Sequence, residues 1–156
     1  MVAATAPWVE AGPFRAHLRH VMAVGELTAT EVAALAGVSP RLVTSLLRGR
    51  GGRPVRRISP DTARALLRLP AAQARELRTR QVPAAESRLR LRRLLGRGAD
   101  HFALAGELGV TTEVLAALEQ ETTTWCSALL ALRLLALTRG SEPDELEAEA
   151  AARLAA

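Results

Sequence analysis

The stretch from Thr28 to Gly49 constrains the fold more than any other part of the chain. Thr28 stands three residues before Glu31, the spacing of a capping box, in which the Thr hydroxyl accepts from the third backbone amide and the Glu carboxylate returns the bond to the cap. A short helix is predicted to run from there to Ala36, and Gly37 supplies the positive φ of a sharp turn. Val38 fills the space between helices, and Ser39 with Pro40 caps and opens a second helix that reaches Arg48.

The rest of the chain favours the same kind of structure. Aromatic residues make up 3% and Tyr is absent, while Ala and Leu dominate, so an all-helical chain without a large sheet is expected. Its 156 residues, 49% of them hydrophobic, suffice for one ordinary domain or two very small ones. A chain of this size buries roughly two-thirds of the surface its unfolded form exposes, so no metal or disulfide is required to hold it. The single cysteine, Cys126, excludes an internal disulfide and fits a reducing compartment. The longest apolar run, Ala128 to Leu137, is interrupted by Arg133, so no membrane span is expected, and Met1 to Phe14 has no basic charge of a secretion signal.

Phe14, Leu18, Val21 and Met22 recur at helical spacing before Gly25, which predicts a first helix ending there. Gly49 to Ile58 is a glycine-rich loop with four arginines, and Ser59-Pro60-Asp61 opens a fourth helix to Leu69. Pro70 and Pro83 bracket Ala71 to Val82, which reads as a short linker helix or turn rich in Arg and Ala. A weak internal repeat follows. Leu18, Val21, Met22 and Gly25 fall on Leu91, Leu94, Leu95 and Gly98; Val32, Ala33, Gly37, Val38, Ser39, Val43 and Leu46 fall on Leu104, Ala105, Gly109, Val110, Thr111, Leu115 and Leu118. Trp125 to Leu137 is then the second copy's fourth helix. The organisation expected is a flexible arm over 1–13, a helical domain over 14–69, a linker over 70–83, a second and degenerate domain over 84–139, and an acidic tail over 140–156.

Charge divides along the same line. All 21 cationic residues are Arg; residues 1–80 carry a net +8, residues 81–100 +3 and residues 101–156 −6. A polyanion-facing first half, with nucleic acid as its usual partner, is what such asymmetry points to.

The segment Leu27 to Arg50 resembles the helix-turn-helix of the Cro and lambda-repressor family, through Ala33, Gly37, Val38, Ser39 and Gly49 and through the fourth-helix opening Ile58-Ser59-Pro60-Asp61-Thr62-Ala63. The whole chain further looks like the tandem helix-turn-helix proteins of actinobacteria and their phages. The resemblance implies an all-α fold of two tandem, lambda-repressor-like bundles of four to five helices each. It also implies a sequence-specific regulator of transcription, a repressor by occlusion, acting on double-stranded DNA without a cofactor, in the cytoplasm and on the nucleoid.

In such an arrangement the second helix of the motif lies in a major groove about 12 Å wide while the first crosses the backbone. Its inward set is Val38, Leu42 or Val43, and Leu46, which leaves Pro40, Arg41, Thr44 and Ser45 as candidate base contacts. Arg41 can bond a guanine edge with two donors, and Thr44 and Ser45 are small enough to meet base edges. Thr28, Thr30, Ser39, Arg48, Arg50, Arg53, Arg56 and Arg57 are the candidate phosphate contacts. Ala29 stands where the family often places a phosphate-holding amide, so Thr28, Thr30 or the loop arginines must replace that clamp.

The second copy presents Thr112, Glu113, Ala116, Ala117, Glu119 and Gln120 in the corresponding places, and carboxylates facing phosphates repel. It is expected to have kept the fold and lost groove binding, which leaves open a homodimer through residues 84–156 or a protein partner. Arg88, Arg90, Arg92 and Arg93 are read as a solvated helix face or as backbone contacts. The rival function is a phage or antitoxin-like adaptor built on the acidic half; an architectural or excision accessory protein is a further alternative. His17 and His20 lack further ligands at metal spacing, Cys126 lacks an identified His partner, and the glycine loop lacks the lysine of a nucleotide-binding loop, so neither catalysis nor a metal is expected.

Overall fold

In the computed structural model the residues described are 7–141, and the chain divides between Arg80 and Gln81 into two compact units. Both are mostly helical and share one order of elements: a short strand, three helices, a second short strand and a fourth helix. The first comprises β1 (Val9–Glu10), α1 (Gly12–Gly25), α2 (Ala29–Ala36), α3 (Pro40–Arg48), β2 (Arg57–Ile58) and α4 (Pro60–Leu67), with α5 (Ala71–Glu76) added. The second comprises β3 (Gln81–Pro83), α6 (Ala85–Gly96), α7 (His101–Leu108), α8 (Thr112–Glu119), β4 (Trp125–Ser127) and α9 (Ala128–Ser141).

Local signals operate as their chemistry requires. Thr28 Oγ1 accepts from the Glu31 amide at 3.2 Å and Glu31 Oε2 accepts from the Thr28 amide at 2.9 Å, completing the capping box of α2. Gly37 and Gly109 sit at φ 69° and 64°, a left-handed turn that a Cβ would strain, and each ends the helix before it. Ser39 and Thr111 then cap α3 and α8 by accepting from the amides of Leu42 and Val114.

The apolar positions paired by the repeat form the two interiors. Leu18, Val21, Val32, Val43 and Leu46 are buried in the first unit, as are Leu91, Leu94, Leu104, Leu115 and Leu118 in the second. Each such side chain stabilises its unit by about 1.5 to 3 kcal/mol relative to exposure. One pairing needs correction. Gly25 is helical and buried, and a Cβ there would lie 2.9 Å from the Leu27 side chain and 3.0 Å from that of Ala74, so close packing requires it. The positive-φ residue that corresponds to Gly98 is Glu26, at φ 52°.

Three boundaries also differ from the sequence expectation. The arm over 1–13 is anchored where it is described: Val9 pairs with Ile58 and Glu10 with Arg57, and the Ala11 amide donates to the Arg56 carbonyl at 2.8 Å. The linker over 70–83 is divided between the units. Its helix α5 packs on α1 through buried Ala74, with Leu77 buried just beyond, and its last residues form β3, paired with β4 through Val82 and Cys126. Trp125 to Ser127 is therefore strand, and α9 begins only at Ala128. Most of the acidic tail, from residue 142, lies outside the described residues. Among those described, no helix is long and apolar enough to cross a membrane.

Candidate nucleic-acid interface

In the basic first unit the candidate base-reading residues lie on α3. A helix advances 100° per residue, so Arg41 and Arg48 stand nearly in line, with Thr44 and Ser45 on either side of that line. Arg41, Thr44 and Arg48 are exposed and Ser45 and Pro40 half-buried, while Val43 and Leu46 turn inward. Leu42 and Val38, read as inward, lie only half-buried at the flank.

The loop after α3 is more ordered than its glycine content implies. Arg50 and Arg53 exchange two backbone hydrogen bonds, at 2.8 and 3.0 Å, across a turn made by Gly51 and Gly52 at φ 55° and 75°. Two positive φ values in succession are the mark of a two-residue hairpin turn. Gly49 makes the close approach possible: a Cβ on it would lie 2.4 Å from the Arg53 carbonyl oxygen. The bridge sets Arg50 and Arg53 directly opposite each other, and like charges so placed repel. Both are exposed, as are Arg56 and Arg57, with Glu10 across the β1–β2 ladder from Arg57. From Val32 to Pro60 the sequence contains no Asp or Glu.

Arg15, on α1, holds this arrangement in place. Its Nε donates to the Leu46 carbonyl at 2.6 Å and its Nη2 to the Val55 carbonyl at 2.7 Å, so one planar guanidinium ties the end of α3 to the returning arm of the loop. The last carbonyls of a helix lack intrahelical donors and carry partial negative charge, which is why a cation fits there. Arg19 adds a long bond to the Leu47 carbonyl at 3.5 Å. Neither arginine emerges from reading Arg as surface charge, although the repeat aligns both with arginines of the second copy.

Those second-copy arginines behave in the same way. Arg88 donates to the carbonyls of Leu118 and Thr123, each at 2.8 Å, and Arg92 to the carbonyl of Glu119 and the carboxylate of Glu121. Arg90 pairs with Glu86. The solvated basic face expected on α6 is thus largely occupied within the unit, with Arg93 exposed beside it.

The remaining candidates are placed as follows. Thr28 and Thr30 are exposed at the start of α2, with the Thr28 oxygen engaged in its cap, and Ser39 likewise caps α3. His17 Nε2 donates to the Leu69 carbonyl at 2.8 Å, which makes it a packing residue of α1. Cys126 is buried in the second core, its Sγ 3.5 Å from Ser87 Oγ. Among the described residues no group of three potential metal ligands forms.

On α8 the outward positions carry different chemistry. Glu113 is exposed and its carboxyl is held below the ordinary range, first by its own backbone amide and then by the hydroxyls of Thr111 and Thr112. Val114 beside it is 42% exposed and Trp125 56%, two apolar surfaces absent from the outward set read from the sequence. Glu119, expected outward, is half-buried and bonded to His101 at 2.8 Å. No family model, curated protein or solved structure matches the chain.

Proposed function

We propose that the chain is a sequence-specific, double-stranded DNA-binding protein of the helix-turn-helix kind, built as two tandem lambda-repressor-like bundles, whose first unit reads the major groove. The observation that carries this reading is the outward row Arg41, Thr44, Ser45 and Arg48, continued by an ordered arginine hairpin in a stretch with no carboxylate. The row offers hydrogen-bond groups of the size and type that discriminate bases, and the hairpin offers the sequence-independent attraction to phosphates. Occlusion of a promoter by such a complex makes the chain a regulator of transcription without a cofactor, and places its work on the nucleoid.

Fluorescence anisotropy of labelled duplexes tests this at several salt concentrations. A selected duplex should bind about a thousandfold more tightly than a scrambled one, with affinity falling steeply as salt rises. Arg41→Ala should cost about 1 to 3 kcal/mol on the selected duplex and little on the scrambled one. Absence of binding to any duplex at low salt overturns the reading.

A second reading has its own observation. Glu113, Val114 and Trp125 give the second unit an acidic and apolar surface where the first is basic. That surface suits a protein partner better than a phosphate backbone, and full-chain protein that binds no duplex would favour the adaptor.

A further inference from the structure

The structure assigns a place in the interface to Trp8, a residue the motif leaves unused; the inference rests on the DNA-binding reading above. Trp8 is 64% exposed, and it lines a cleft of about 220 Å³ together with Leu42 and Ser45 of α3, Arg50 of the hairpin and Arg57 of β2. Exposure of most of an indole sacrifices a large apolar contribution, and here the ring borders a cleft lined also by Leu46, Val55 and Ile58, with Arg50 and Arg57 supplying its charge.

Helix geometry says what passes over that cleft. With Val43 and Leu46 inward and Arg41 and Arg48 outward, Leu42 and Ser45 form one flank of α3. A helix about 10 to 12 Å across nearly fills a groove about 12 Å wide, so a phosphate strand runs along each flank. The strand on the Leu42 and Ser45 side crosses the cleft, where Arg50 and Arg57 stand beside its phosphates and Trp8 beside its sugars. We propose that Trp8 is a direct contact to the DNA backbone. Its ring covers the apolar face of a deoxyribose, and its Nε1–H, a donor only, bonds a phosphate oxygen. Both contacts are to the backbone, so they form on any sequence and fix the register of α3. In the second unit the residue corresponding to Arg57 is Trp125, across from Pro83, so that unit lacks an arginine at this place.

The chain has two tryptophans, so Trp125→Phe leaves Trp8 as sole reporter. The full-length Trp125→Phe protein is titrated with a labelled mixed-sequence duplex at low salt, following DNA anisotropy together with Trp8 emission and its quenching by acrylamide. Trp8 emission should change, and quenching fall, over the range in which anisotropy rises. In the otherwise native chain, Trp8→Ala should weaken binding about five- to tenfold on every duplex, and Trp8→Phe, which keeps a ring and loses the donor, by less. Rising anisotropy with unchanged Trp8 emission and quenching, or full affinity in Trp8→Ala, overturns the proposal and leaves DNA binding intact. No rise in anisotropy at low salt overturns both.

Discussion

Arg15 and Arg88 make the same pair of bonds in their respective units: each Nε donates to a carbonyl near the end of the third helix, Leu46 or Leu118, and each Nη2 to the loop beyond, at Val55 or Thr123. A side chain that looks like surface charge is therefore part of the frame in both. Replacement by Met keeps the stem and removes the donors. Arg15→Met and Arg88→Met should each lower unfolding free energy by about 2 kcal/mol, with Lys at either position restoring part of the loss, because a single ammonium cannot span two diverging carbonyls. Urea unfolding of the variants measures it.

Gly49 is the close contact on which the hairpin depends. Gly49→Ala sets a Cβ against the Arg53 carbonyl at a φ of 84°, so the Arg50–Arg53 bridge must open. The expected cost is about 1 to 3 kcal/mol of stability, together with a loss of affinity for specific and scrambled duplexes alike. A crystal structure or backbone amide shifts of the variant would show whether the bridge has opened.

The opposed arginines of that bridge should trade stability against binding. Arg50→Ala and Arg53→Ala relieve a like-charge pair and should raise stability slightly, by about 0.2 to 1 kcal/mol. Each should also weaken binding to all sequences and reduce the salt slope by about one. Thermal unfolding alongside salt-dependent anisotropy reads both effects from one set of proteins.

Glu113 contributes a pH dependence of known sign. Its carboxyl is held below the ordinary range in the folded chain by its own amide and by Thr111 and Thr112. The folded form therefore releases the proton more readily than the unfolded one, and the stabilisation is present at neutral pH and disappears as pH falls through the lowered value. Carboxyl carbon shifts followed from neutral pH downwards should show Glu113 titrating below the ordinary carboxylate range. Glu113→Gln should flatten the acid limb of the stability profile.

What could be read from the sequence was local chemistry. The Thr28–Glu31 box, the Gly37 turn and the Ser39 cap each lie within a few residues of the groups they bond, so α2 and α3 are legible without their surroundings. The repeat pairs its interior correctly because Leu and Val declare their burial by type. The two-residue strands were not legible, since Val9 pairs with Ile58 only after the intervening helices are folded. The same holds for the packing of α5: the stretch between Pro70 and Pro83 reads as a linker helix or turn, while Ala74 meets its partner on α1 only in three dimensions. In the candidate site the outward row of α3 followed from periodicity. The roles of Arg15 and Trp8 did not, because one side chain reaches across the unit and the other is placed by a strand.

The β1–β2 ladder has a kinetic consequence. It joins the two ends of the segment from Val9 to Ile58 through very few bonds, so it can form only after a long closure whose entropic cost grows with the logarithm of the enclosed chain. Such a clasp closes late in folding and is among the first parts to breathe afterwards. Opening it would let Trp8 and Arg57, which both line the cleft, move apart while Leu18, Val43 and Leu46 stayed buried. The first unit thus carries a joint of few bonds at the edge where it would meet a long, imperfectly regular ligand, and can adjust its fit there without melting its centre.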